Sequence, residues 1–162
     1  MGILPRMKPP KYLPEEGLER LRSWCDLQER CPQEVRRKLH SWGYSADTIN
    51  HWVDRMLDEG AIDEARFAQA FVSGKFRIKK WGQRKIQAEL QFRGIPRPLI
   101  EQALSAIDPT EYAHTLTVLT ERKLAAQKDA SRVARGNVAR YLISKGYEPD
   151  LVWETIATLT DR

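Results

Sequence analysis

Leu39, Leu90 and Leu142 are each followed four positions later by a glycine (Gly43, Gly94, Gly146) and then at once by an apolar or aromatic residue (Tyr44, Ile95, Tyr147). The same spacing of about 51 residues carries Val35 to Ile86 to Val138, Ile49 to Ile100 to Val152, and Val53 to Leu104 to Ile156. So many apolar positions held in register define an internal repeat, which restricts the chain to architectures of stacked, similar units. The repeated element has a physical reading. A glycine at C′ enters the left-handed region without a Cβ penalty, and the leucine at C3 then meets the apolar residue at C″ in a Schellman motif. Each unit therefore contains a helix that stops abruptly and reverses into another.

The second helix of each pair shows helical spacing on one face: Ile49, Val53, Met56 and Leu57; Ile100, Ala103, Leu104 and Ile107; Val152, Ile156 and Leu159. Upstream of each pair lies a further helical stretch, over 15–29, 64–79 and 111–127. The middle one is capped by Asp63 and started by Glu64, with Phe67, Ala68, Ala70 and Phe71 as its buried face. No alternating run of β-branched residues appears, so the chain reads as all-α: three tandem three-helix repeats in an elongated, curved array. The expected organisation is a flexible N-terminal segment (1–13) and three repeats at 14–60, 61–109 and 110–162. Neighbours should pack end to end, with a concave face open to something long.

Composition narrows the function. The chain has 162 residues, two cysteines and a net charge of +5, and no apolar run approaches the roughly 18 residues of a membrane span. No signal-peptide h-region follows Met1, which points to a cytoplasmic protein with reduced thiols. Cys25 and Cys31 lack metal or redox spacing, and His40, His51 and His114 are scattered, so no metal or other cofactor is expected and the cysteines read as small buried hydrophobes. There is no phosphate-binding glycine loop, no histidine beside a nucleophile and no carboxylate pair in an apolar face, so no catalytic residue is assigned and an enzyme is not expected. Trp24, Trp42, Trp52 and Trp153 read as packing between helices.

Charge is uneven along the repeats. Residues 1–60, 61–109 and 110–162 have net charges of 0, +4 and +1. In the middle one, Lys75, Arg77, Lys79, Lys80, Arg84, Lys85 and Arg93 gather at one helix junction with a single acid, Glu89, among them, which suits a polyanion or an acidic protein. Some of these cations also suit the negative pole of the preceding helix. Trp81 precedes a Gly82 cap with Ile86 at N4, the spacing of a hydrophobic staple, which is favoured over base stacking.

Gly60-Ala-Ile-Asp-Glu-Ala-Arg-Phe-Ala68, followed by Gly82-Gln-Arg-Lys-Ile-Gln-Ala-Glu-Leu-Gln-Phe-Arg-Gly-Ile95, resembles the signature of the RecX family of bacterial recombinase regulators. Glu34-Val-Arg-Arg-Lys-Leu39 with Gly43 and Tyr44 resembles that family's first module, and Val138 to Ile156 its third. The resemblance implies a monomeric, non-catalytic protein that binds the RecA filament in its groove and lowers its ATPase, strand-exchange and repressor-cleavage activities. It thereby implies a role in recombination, repair and the SOS response. Some members also bind single- or double-stranded DNA, and no membrane is involved. Contact would fall chiefly on Arg84, Lys85 and Arg93. Two departures stand out: Cys31 where a serine would cap the second helix, and Ala134 at the corresponding place in the third module. The competing reading is a sequence-neutral DNA-binding protein with helix-turn-helix-like pairs.

Overall fold

The computed structural model describes residues 8–161, and among these the chain forms nine α-helices and no strand: α1 Pro14–Leu27, α2 Pro32–Ser41, α3 Ala46–Asp58, α4 Glu64–Arg77, α5 Gln83–Phe92, α6 Arg97–Ser105, α7 Pro109–Ala125, α8 Arg132–Ser144 and α9 Pro149–Thr160. None is long and apolar enough to cross a membrane. The chain divides into two compact units, one ending at Phe67 and one beginning at Ala68.

The repeated Leu–Gly element closes its helices as the sequence predicts. Gly43, Gly94 and Gly146 have φ of +86°, +73° and +102°. The amide after each glycine donates to the carbonyl of the repeat leucine: Tyr44 to Leu39 at 3.3 Å, Ile95 to Leu90 at 3.1 Å and Tyr147 to Leu142 at 3.2 Å. Gly60 closes α3 in the same way.

The core of the first unit joins Leu21, Val35, Leu39, Ile49, Trp52, Val53, Met56 and Ile62 from α1, α2, α3 and the turn after them. The expected flexible segment 1–13 is tethered at its described end. The Lys11 amide donates to the Trp42 carbonyl at 2.7 Å, and the Tyr44 hydroxyl donates to the Tyr12 carbonyl at 2.8 Å. Residues 1–7 of that segment lie outside the described residues.

Several local expectations change. Asp63 caps α4 by accepting from the Arg66 amide at 2.8 Å, but Ala70 is exposed and Phe71 half-buried, and the buried positions run Phe67, Ala68, Val72 and Phe76. The face is set one residue further round than the Phe67–Phe71 spacing suggests. Cys31 does hold the N-cap of α2, with Glu34 accepting from its amide at 3.2 Å, so the carboxylate arm of a capping box is present. Ala134, by contrast, is not a cap. Ser131 occupies that place and accepts from the Ala134 amide at 3.2 Å, so α8 starts three residues earlier than the repeat register implies. Trp52 is buried and Trp24 and Trp42 half-buried, whereas Trp153 is 48% exposed because Val152 and Ile156 already fill the inward face of α9.

Burial pushes the Cys25 thiol up to about 11, and burial also pushes the Tyr112 and Tyr147 hydroxyls above the usual phenol range. The folded chain therefore keeps protons that the unfolded chain releases. This contribution is intact below about pH 8.5, the ordinary thiol value, and is lost as pH rises through 9 to 11. Urea midpoints should fall between pH 8 and pH 10.5, and a midpoint that rises over that interval contradicts the assignment.

Candidate interaction surface

The end of α4, the connection Ile78–Gly82 and the start of α5 fold back on one another within the second unit. Lys80 sits at φ +58°, the one described non-glycine residue with positive φ. A lysine in that region costs about 1 kcal/mol that a glycine would not. This reversal places Trp81 at N′ and Gly82 at the N-cap of α5, with Ile86 fully buried at N4. Trp81 is half-buried, its ring centroid 6.4 Å from that of Phe71 at an interplanar angle of 67°.

Three of the seven expected cations gather on these two rings. Lys85 Nζ lies 4.3 Å from the Trp81 centroid, Lys75 Nζ 4.8 Å from Trp81 and 5.3 Å from Phe71, and Arg93 Cζ 4.9 Å from Phe71. Arg93 is also engaged by Glu89, both at the carboxylate (2.6 Å) and at the carbonyl (3.0 Å), which leaves it less free for a partner. Arg77 turns away from the group to Glu111 at 3.8 Å, and Arg97 pairs with Glu101 at 2.8 Å. Lys79, Lys80 and Arg84 are exposed, and among the described residues none of them, nor Lys75 or Lys85, forms an ion pair. The segment thus carries five cations without a carboxylate partner, two of which, Lys75 and Lys85, lie on the half-buried indole of Trp81.

What holds it is the third helix triplet. The Gly82 amide donates to the Lys145 carbonyl at 2.8 Å, and the Arg84 amide to the Gly146 carbonyl at 3.0 Å. The Gln83 amide donates to the Tyr112 hydroxyl at 3.0 Å, and Tyr112 donates on to Glu148 at 2.7 Å. Tyr147 donates to the Lys80 carbonyl at 2.9 Å, and Lys145 Nζ to the Lys79 carbonyl at 3.1 Å. The first amides of α5 are thereby consumed inside the protein, so any anion met here is bound by side chains. Lys145 joins the cationic group through this contact. Charge counting missed it, because it lies 52 residues beyond the run, and its only sequence signal is its place before the repeat glycine.

Comparison with known proteins places the chain among regulatory proteins. A family model described as "RecX, second three-helix domain" matches residues 63–104, the stretch that builds this face. Regulatory protein RecX of Pseudomonas putida is 34% identical over 122 residues, covering 74% of this chain and 75% of the relative. That of Prosthecochloris aestuarii is 25% identical over 89% of this chain and 93% of the relative. The Clostridium botulinum protein is 29% identical, and the chain spans only 59% of its length. The crystal structure of RecX from Lactobacillus salivarius superposes with a TM-score of 0.77 at 22% identity, covering 91% of this chain and 96% of that one, which shows the shared fold. The chain belongs to the RecX family of regulatory proteins.

Proposed function

We propose that this protein regulates the RecA recombinase in the cytoplasm. It binds the filament as a monomer and lowers its ATPase, strand-exchange and coprotease activities, and so tempers recombination, repair and the SOS response without chemistry of its own. The observation that carries this reading is the group Lys75, Lys79, Lys80, Arg84 and Lys85, unpaired by carboxylates, with Lys75 and Lys85 on Trp81 and all five within the segment 63–104 that matches the family model. Uncompensated cations on a braced surface favour association with a strongly acidic or polyanionic assembly, because their field attracts it and no internal ion pair has to be broken first. Occupying a filament groove with such a face would obstruct entry of a second DNA and the motions that accompany ATP turnover.

The helix-turn-helix reading is less favoured, since the start of α5 is occupied by residues 145–147 and a recognition helix needs its N-terminal residues free for a groove. Titrating the protein into a recombinase ATPase assay on single-stranded DNA tests the proposal. Saturable inhibition is expected at protein well below the DNA concentration that naked-DNA binding would require. Turnover unchanged at any ratio would overturn it.

A further inference from the structure

Arg77 leaves the cationic group to which its sequence position assigns it and stands instead at the rim of a hollow in the same unit. The hollow, of about 130 Å³, lies between α4 and the turn from α6 into α7. Its floor is apolar, made by Val72, Phe76, Ala103 and Ile107, all of them buried. Phe76 is held back from the opening by its stacking on Tyr112, at 5.7 Å between centroids and 30° between planes, and Tyr112 is fixed in turn by Gln83 and Glu148. A cavity of roughly 150 Å³ takes a benzene ring, so this slightly smaller one suits a single branched aliphatic side chain.

The rim is polar and largely unspent. Gln69, Ser73 and Arg77 stand at i, i+4 and i+8 on α4 and share one face of that helix. All three are exposed, and the Gln69 amide and Ser73 hydroxyl form no hydrogen bond among the described residues. Arg77 is paired with Glu111 at 3.8 Å, beyond the roughly 2.7–3.2 Å of a hydrogen bond. The carboxylate thus keeps the guanidinium at the rim without consuming its donors. Across the mouth, Ala106 is exposed and presents only a methyl group.

The spacing along this rim matches an extended chain. From Ser73 to Arg77 the helix advances about 6 Å. Side chains two positions apart in an extended segment point the same way and stand about 6.6 Å apart. Such a segment laid along α4 can sink one aliphatic side chain beside Ser73 and bring a carboxylate, two positions on, to Arg77. Its open backbone amides and carbonyls then face Gln69 and Ser73, whereas a helix has spent those groups internally. Charge agrees, since residues 61–109 carry +4 and Glu111, the acid at the rim, is already faced by Arg77. We propose that the hollow docks an extended segment of a partner protein in which an aliphatic residue lies two positions from an aspartate or glutamate. The contact involves neither Trp81 nor nucleic acid.

The test follows the NMR shifts of the Val72 and Ile107 methyl groups in the full chain as blocked pentapeptides are added. No recombinase enters the assay, so its outcome is independent of the reading above. Ser-Leu-Ser-Asp-Ser should give saturable shifts at millimolar concentration, and Ser-Ala-Ser-Asp-Ser should bind about tenfold more weakly, because the buried leucine surface is lost. Arg77→Gln should weaken the leucine–aspartate peptide about threefold, and Glu111→Gln, which frees Arg77 and removes a repulsion, should tighten it about threefold. Ala106→Leu should abolish the shifts by filling the mouth. Its urea midpoint should stay unchanged, because Ala106 is exposed and has ordinary helical dihedrals, with φ −74° and ψ −13°. The two charge variants, both on exposed side chains, keep the test decisive if it does not. Absence of saturable shifts at Val72 and Ile107, or equal binding of the alanine peptide, would overturn the proposal. So would a preference for Ser-Leu-Ser-Lys-Ser, which would assign the hollow to a basic partner.

Discussion

Replacing Gly82 by alanine is expected to destabilise the second unit by about 3–5 kcal/mol. The backbone of Gly82, at φ −76° and ψ 164°, would accept any residue. The obstacle is space. A Cβ there would fall 2.3 Å from the Gly146 carbonyl carbon, 2.3 Å from the Tyr147 nitrogen and 2.4 Å from the Gly146 oxygen. All three are backbone atoms, so no rotamer change relieves the contact and the two segments must part. Parting them breaks the Gly82–Lys145 and Arg84–Gly146 hydrogen bonds, each worth about 1 kcal/mol net, on top of overpacking at about 1–3 kcal/mol. Against a typical stability of 5–15 kcal/mol this is a large fraction. Gly94 supplies the control. Unlike Gly82 it is left-handed, at φ +73°, but nothing lies within 4 Å of its would-be Cβ, so Gly94→Ala should cost only the roughly 1–2 kcal/mol of backbone strain. Urea unfolding of the two variants decides the matter, and a Gly82→Ala protein as stable as Gly94→Ala would mean that the second and third triplets are not braced at this point.

That brace marks the limit of what the sequence discloses. The helix ends were legible because a Schellman closure is local: a leucine, a glycine and an apolar residue within six positions suffice, and all three repeats obey it. The cap of α8 was not, since transferring the register from one repeat to another points to Ala134, while the hydroxyl that accepts the amide belongs to Ser131, next to a turn of different length. The cationic group was half legible. A run of positive residues announces itself in one dimension, but which members stay together depends on side-chain direction and on distant partners. Arg77 is drawn off by Glu111, Arg93 is held by Glu89 one turn before it, and Lys145 arrives from the third triplet. Gly82 and Gly146 each had a visible local reason, as cap and as helix stop. Their mutual contact, across 64 residues of chain, leaves no periodic trace.

The same geometry determines which charge reversals matter. Lys79→Glu/Arg84→Glu should weaken association with a RecA filament by about 30- to 150-fold, or about 2–3 kcal/mol, because both side chains are exposed, neither has a carboxylate partner to strand, and each change replaces attraction by repulsion. Only their backbone groups serve the brace, so the fold should survive, and an unchanged urea midpoint would confirm that. Arg122→Glu/Arg140→Glu alters the net charge by the same amount on exposed positions of the third triplet. If the filament responded merely to overall charge, the two double variants would lose equal affinity and equal inhibition of the ATPase. If the Trp81 face is the point of contact, the first loses both while the second stays close to the wild type at moderate salt. The separation between them should persist as salt is raised past the point where long-range attraction is screened, because close contacts are screened less than distant ones.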